Sequence, residues 1–126
     1  MKKEFVPYDI ALALKELGFD NIGCLGVYYC DGSELTTEYY ETQYYAQKGF
    51  QNGTLAPLYQ QVFRWFREKY KLYATVYPTS TNQFGTTLCK GVNEKFYGDE
   101  LPLFKTFAEA QNACLRKLIE IVKENL

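Results

Sequence analysis

PLYQQVFRWFREKYKLYATVYP, residues 57–78, decides the fold. Its first part repeats on a helical period. On a wheel turning about 100° per residue, Leu58, Tyr59, Val62, Phe63, Trp65, Phe66 and Tyr70 fill one continuous arc. Gln60, Arg64, Arg67 and Lys71 fill the opposite arc. Pro57 suits the first turn, so the spacing predicts an amphipathic helix over 57–71. Lys69 falls near the rim of the apolar arc, where its stem can lie on apolar surface and its ammonium reach water. From Leu72 the helical spacing stops. Residues 72–78 are rich in β-branched and aromatic side chains and end in a proline, which reads as a strand. A helix running straight into a strand makes this an α+β chain.

The neighbouring segments extend this unit. Thr79 to Gln83 form a polar turn, and residues 84–90 return as a strand. Residues 91–98 hold a bend or a short strand. A last helix covers 107–124, announced by the T-x-x-E pattern of Thr106 and Glu109, a capping box. Ala110, Cys114, Leu115, Leu118, Ile119, Ile121 and Val122 lie along its apolar side. Toward the start, Pro7 and Gly18 bracket a short helix over 7–17, with Ile10, Ala13, Leu14 and Leu17 on one face. Residues 22–30 read as a strand, Asp31-Gly32 as a hairpin turn, and the return strand begins near Glu34 or Leu35. A loop is expected around 47–56. The order is α-β-β-α-β-β-α. The simplest packing is one antiparallel sheet of about four strands with helices on one face, the other face being open or covered by a partner.

Length and composition bound the function. The chain has 126 residues, enough for one domain over 1–126. No stretch approaches the roughly 18 continuous apolar residues of a membrane helix. Glu4, Pro7 and Asp9 interrupt any apolar run after Lys2 and Lys3, so no export signal is expected. Cys24, Cys30, Cys89 and Cys114 form no C-x-x-C pair, and without export they are expected to stay reduced. Net charge is −1, which argues against nucleic acid as a partner. The charge is uneven: residues 1–53 hold four Lys/Arg against eight Asp/Glu, and residues 54–126 hold ten against seven.

The chain has no histidine, so Ser-His-Asp, Cys-His and imidazole-metal arrangements are excluded. The cysteine spacing does not suit a four-thiolate zinc site. No phosphate-cradling glycine pattern is present. We expect no catalytic residues, no metal and no cofactor. Two other classes stay open. One is a small hydrolase using loop carboxylates such as Glu34, Glu38, Glu41, Asp99 or Glu100, whose spacing is not diagnostic. The other is nucleic-acid binding through the β-β-α units and the basic stripe.

Twelve tyrosines are the unusual feature. Tyr28-Tyr29, Tyr39-Tyr40 and Tyr44-Tyr45 are adjacent pairs, and on a strand each would point one ring to each face. Tyr73 and Tyr77, four apart, share a face. Tyrosine also simply favours half-buried strands. As a surface, such rings can form the centre of a protein interface or stack on planar ligands. The candidate ligand- or partner-binding set is therefore Tyr39, Tyr40, Tyr44 and Tyr45, with Arg64, Arg67 and Lys71 as phosphate-matching cations. Trp65 reads as core. An uncovered aromatic sheet would favour a homodimer.

Several runs carry a resemblance. KEFVPYDIALALKELGFD (3–20), APLYQQVFRWFREKY (56–70), FKTFAEA (104–110) and ACLRKLIEIV (113–122) resemble small uncharacterised proteins of phages and mobile elements of Bacteroidota. The likeness covers both ends and the centre of the chain, while 31–55 and 79–103 match poorly. It implies phage origin and residence in the cytoplasm of a bacterial host. It supplies no activity and no catalytic residues. The expected function is that of a non-catalytic phage accessory protein, with counter-defence one possible role. It would sequester a host protein or a small nucleotide-type signal molecule on the Tyr-rich surface.

Overall fold

The computed structural model describes residues 4–19, 26–29, 35–37, 53–91 and 101–124. They form an α+β protein. Among the described residues the order is α1 (Tyr8–Glu16), β1 (Gly26–Tyr29), β2 (Leu35–Thr36), β3 (Gly53–Ala56), α2 (Tyr59–Tyr70), β4 (Leu72–Pro78), β5 (Phe84–Lys90) and α3 (Phe107–Glu124). The chain divides into two compact units, Met1–Val62 and Phe63–Leu126, and α2 begins in the first and ends in the second.

In the first unit, α1 ends where its sequence dictates. Gly18 takes φ +90°, Gly18 N–H donates to Lys15 C=O at 3.1 Å, and Phe19 N–H donates to Leu14 C=O at 3.0 Å. This pair of bonds is a Schellman closure. It needs a residue at ease in the left-handed region, which is why glycine stands there. Phe19 and Leu14, the two side chains that this closure brings together, are both buried. The sheet order is β2-β1-β3, antiparallel throughout, with Val27 opposite Thr36 and Tyr28 opposite Leu35 on one side. On the other side Tyr28 stands opposite Thr54 and Val27 opposite Leu55. The register of β1 and β2 is symmetric about positions 31 and 32; the expected Asp31-Gly32 turn itself lies outside the described residues.

Here β3 replaces part of the loop expected around 47–56. Its four residues, GTLA, are too few to show alternation, so nothing in their pattern marks a strand. Thr54, Leu55 and Ala56 are all buried. Successive strand residues point to opposite faces, so at β3 neither face is open, unlike the open face expected for a single sheet. Tyr28 serves this unit as a clamp. Its hydroxyl donates to the Val6 carbonyl at 2.7 Å, and its ring meets Tyr8 edge-on at 5.5 Å. Of the first tyrosine pair, Tyr28 is thus spent on packing.

In the second unit β4 and β5 form an antiparallel hairpin that is a separate sheet from the first, so the strands are not one four-stranded layer. The polar turn is built as expected. Thr79 N–H donates to Gln83 C=O at 2.8 Å, Thr79 Oγ1 accepts from the Gln83 and Thr81 amides, and Asn82 takes φ 61°. At the N-terminus of α3 the Thr106 hydroxyl accepts from the Glu109 amide at 3.1 Å. The seven residues assigned to its apolar side, Ala110 through Val122, are all buried.

One polar atom in this unit is left over. Thr86 Oγ1 is buried without a hydrogen-bond partner. The Cys114 thiol lies close enough to feel it weakly, but burial dominates and pushes that thiol up to about 11. Geometry decides in favour of an orphaned hydroxyl. We therefore expect Thr86→Val, which keeps the shape and removes the unpaired group, to raise stability by about 1 kcal/mol in urea titration. A loss of stability would mean that the thiol–hydroxyl contact is a real bond.

Tyr28 gives a second expectation. Burial, and then the charge of Asp9, raise its pKa above 10.0. The folded state thus prefers the neutral phenol. Its contribution is fully present below pH 10 and is lost as pH rises through the folded pKa. Tyr28→Phe should lower stability by about 1 kcal/mol near neutrality. The gap between variant and parent should narrow above pH 10.

Candidate functional site

The two faces of the β4–β5 hairpin differ. Directly opposed residues of antiparallel strands share a face. One face carries Leu72, Ala74 and Val76 with Leu88, Thr86 and Phe84. Leu72, Leu88 and Thr86 on it are buried, and the Phe84 ring meets Phe107 of α3 edge-on at 5.8 Å. This is the helix side. The other face carries Tyr73 opposite Cys89, Thr75 opposite Thr87 and Tyr77 opposite Gly85. Tyr73 is 37% exposed and Tyr77 43% exposed. No charged residue stands among these six.

The spacing of Tyr73 and Tyr77 foretold that they share a face, and the hairpin makes that face outward. It also fixes one of the rings. A methyl group on Gly85 would sit 2.6 Å from Tyr77 Cζ and 2.7 Å from its hydroxyl oxygen. The ring therefore lies across the glycine of the neighbouring strand, and only a residue without Cβ leaves room. An exposed tyrosine held flat in this way has lost much of its freedom before any partner arrives.

The basic stripe is weaker than its sequence suggests. Arg64 donates through Nε to Glu68 Oε1 at 2.9 Å, with side chains 72% and 66% exposed. The hydrogen bond and charge of Arg64, then the charges of Arg67 and Lys71, hold the Glu68 carboxyl below its ordinary value. The stripe thus contains its own carboxylate. The i,i+4 spacing of Arg64 and Glu68 signals this in the sequence, and the stripe as first read omits it. Lys71 also departs from the helical wheel. It stands past the last helical residue with φ 57°, the left-handed conformation that closes a helix, so the 100° period does not carry to it. Arg67 is exposed on α2 as read.

Beside the stripe is an aromatic group in which Trp65 meets Phe66 at 5.1 Å and Tyr70 at 5.3 Å. The Lys69 ammonium lies 5.1 Å from the Trp65 centroid and 5.5 Å from that of Tyr70. The snorkelling lysine thus ends over aromatic faces. Trp65 is half-buried rather than fully core.

Tyr39, Tyr40, Tyr44 and Tyr45 lie outside the described residues, as do the carboxylates Glu34, Glu38, Glu41, Asp99 and Glu100. Among the described residues no group of three His, Cys, Asp or Glu side chains is placed to hold a metal. No described helix is long and apolar enough to cross a membrane. A cleft lined by Ala11, Lys15, Phe19, Thr54 and Leu55 in the first unit has an interior of about 10 Å³, the space of one water molecule. Comparison with family models, with curated proteins and with solved structures found no match.

The ring-over-glycine contact is directly testable. A Gly85 α-proton beneath the Tyr77 ring should resonate upfield of the usual glycine range. Tyr77→Leu should return it to that range without disturbing the amide pattern of the hairpin. An unshifted Gly85 in the parent protein would show that the ring is not held there.

Proposed function

We propose that this protein works by binding, without catalysis, and that the Tyr73–Thr75–Tyr77 face of the β4–β5 hairpin is its contact surface for another protein. The observation that carries the reading is the pair of part-exposed tyrosines on one uncharged sheet face, one of them immobilised over Gly85. Aromatic residues are enriched and charges depleted at the centres of protein interfaces. Tyrosine supplies large contact area with only two side-chain torsions to freeze. In the setting implied by the resemblance to phage proteins, the partner is a host protein and the role is that of a phage accessory factor in the host cytoplasm.

Sequestration of a nucleotide-type molecule is the less supported version. It relies on Tyr39, Tyr40, Tyr44 and Tyr45, outside the described residues, and on a stripe in which Glu68 already engages Arg64. Nucleic-acid binding meets the same loss of positive charge, and it starts from a chain of net charge −1.

The test uses Tyr73→Ser with Tyr77→Ser, exposed positions whose replacement should leave the fold intact by circular dichroism. Host proteins that co-purify with the parent chain should be lost with the double variant and retained with Arg64→Gln plus Arg67→Gln. Capture that survives the tyrosine changes would sink the proposal. A thermal shift with a mononucleotide, abolished by the arginine changes, would move the assignment to the nucleotide reading.

A further inference from the structure

The backbone of the hairpin carries an inference that the side chains do not. In an antiparallel pair, residues alternate between those that bond across the ladder and those whose amide groups point away from it. Gly91 N–H donates to Lys71 C=O at 2.7 Å and Thr79 N–H to Gln83 C=O at 2.8 Å. These two bonds fix the phase of the alternation. Tyr73, Thr75 and Tyr77 bond inward to β5, and Leu72, Ala74 and Val76 turn their N–H and C=O groups outward. The far edge obeys the same phase. Phe84, opposite Pro78, uses its outward groups to exchange bonds of 2.7 and 2.9 Å with Phe104. The start of the β5 edge is thus closed, while among the described residues nothing pairs with β4 on its outer side.

A free edge of this kind is usually blunted by charge, by an internal proline or by a bulge. This one has none of them. LYATVY is uncharged, regularly paired along its whole length, and rich in β-formers. Pro78 comes only at its end.

We propose that the outer edge of β4 pairs antiparallel with β4 of a second copy of this chain, about a two-fold axis through Ala74. The register follows from the pattern of outward groups. Ala74 faces its own copy, and Leu72 faces Val76 of the partner. Three residues with both groups outward on each strand form about six ladder bonds. Pro78, which lacks an N–H, falls outside the ladder, whereas a register centred on Thr75 would set Pro78 against the Leu72 carbonyl and leave that carbonyl without a donor.

The side chains agree with this register. On the helix side Leu72 meets Val76 and Ala74 meets Ala74. On the outer side Tyr73 meets Thr75, an aromatic and β-branched pair of the kind that stabilises sheets. No like charges stand opposite each other. A helix about 10 Å across covers two strands spaced about 4.8 Å apart, so the α3 helices of two copies fit side by side on one face of the joined sheet. The order would be β5-β4-β4-β5. Its other face would join both copies of Tyr73 and Tyr77 into one platform, so the second copy would complete the proposed contact surface. The pairing itself rests on the edge alone and does not depend on what that surface binds.

Amide hydrogen exchange read by NMR on the full chain, beside sedimentation at the same concentrations, tests this. In the monomer the Leu72, Ala74 and Val76 amides are open, and Tyr73, Thr75 and Tyr77 are protected by β5. As concentration rises and the dimer forms, the first three should slow by roughly tenfold or more while the second three stay protected throughout. Ala74→Pro, which deletes an outward donor and no ladder bond to β5, should hold the chain monomeric. Four results would overturn the proposal. They are a monomer at every concentration, and a dimer in which Leu72, Ala74 and Val76 still exchange freely. They are also protection of these amides independent of concentration, which would mean that the edge is covered within the chain, and protection at low concentration only on adding another protein. Should Ala74→Pro fail to fold, exchange in the parent chain decides alone.

Discussion

The second unit depends on burial of the apolar side of α3 with the inner face of the hairpin. A two-stranded hairpin is marginal by itself in water, because its hydrogen bonds replace bonds to water and gain little net. Apolar burial supplies the difference. Leu72 and Leu88 on the strands, and the seven buried residues of α3, leave water together, at about 1.5–3 kcal/mol for each large side chain fully buried. The alternation of β4 follows from this. With Leu72, Ala74 and Val76 committed to the helix side, Tyr73, Thr75 and Tyr77 have only the outer face to occupy. The exposed tyrosines result from where the leucines must go.

How much of this was legible in the sequence varies with the strength of each period. α3, β4 and β5 keep their expected spans because their patterns run for seven residues or more and are bounded by strong signals: Thr106, Pro78 and the polar turn. The Gly18 closure was legible because left-handed backbone selects glycine. β3 was not legible, since four residues without alternation look like the loop around them. The division into two sheets was not legible either. The pattern of elements says which segments are strands, but pairing is a tertiary choice that no local period encodes.

The site was legible in the same uneven way. Tyr73 and Tyr77 at i and i+4 on a strand must share a face, and they do. What spacing could not give was Tyr77 lying across Gly85, since that needs the register of β4 against β5. The basic stripe failed in the opposite direction. A helical wheel counts positions, but Glu68 one turn after Arg64 answers its charge, and Lys71 leaves the helix altogether. Where a wheel and a neighbouring carboxylate disagree, the short, charge-assisted bond decides.

β4 is used in every direction a strand offers. Its inner side chains are covered by the helix side, its outer side chains form the candidate surface, and one backbone edge is bonded to β5. Only the remaining edge is unaccounted for among the described residues, and it is long, uncharged and regular. Unpaired peptide groups beside part-buried Ala74 and Val76 are poorly placed to be satisfied by water. Selection against aggregation usually removes such an edge by a lysine or a proline in its middle. The sequence instead keeps alanine and threonine there and places its proline at position 78, where it ends a ladder without interrupting one. That placement makes sense for an edge meant to be paired, and a strand that reads the same way to its own copy needs no other sequence to complete it.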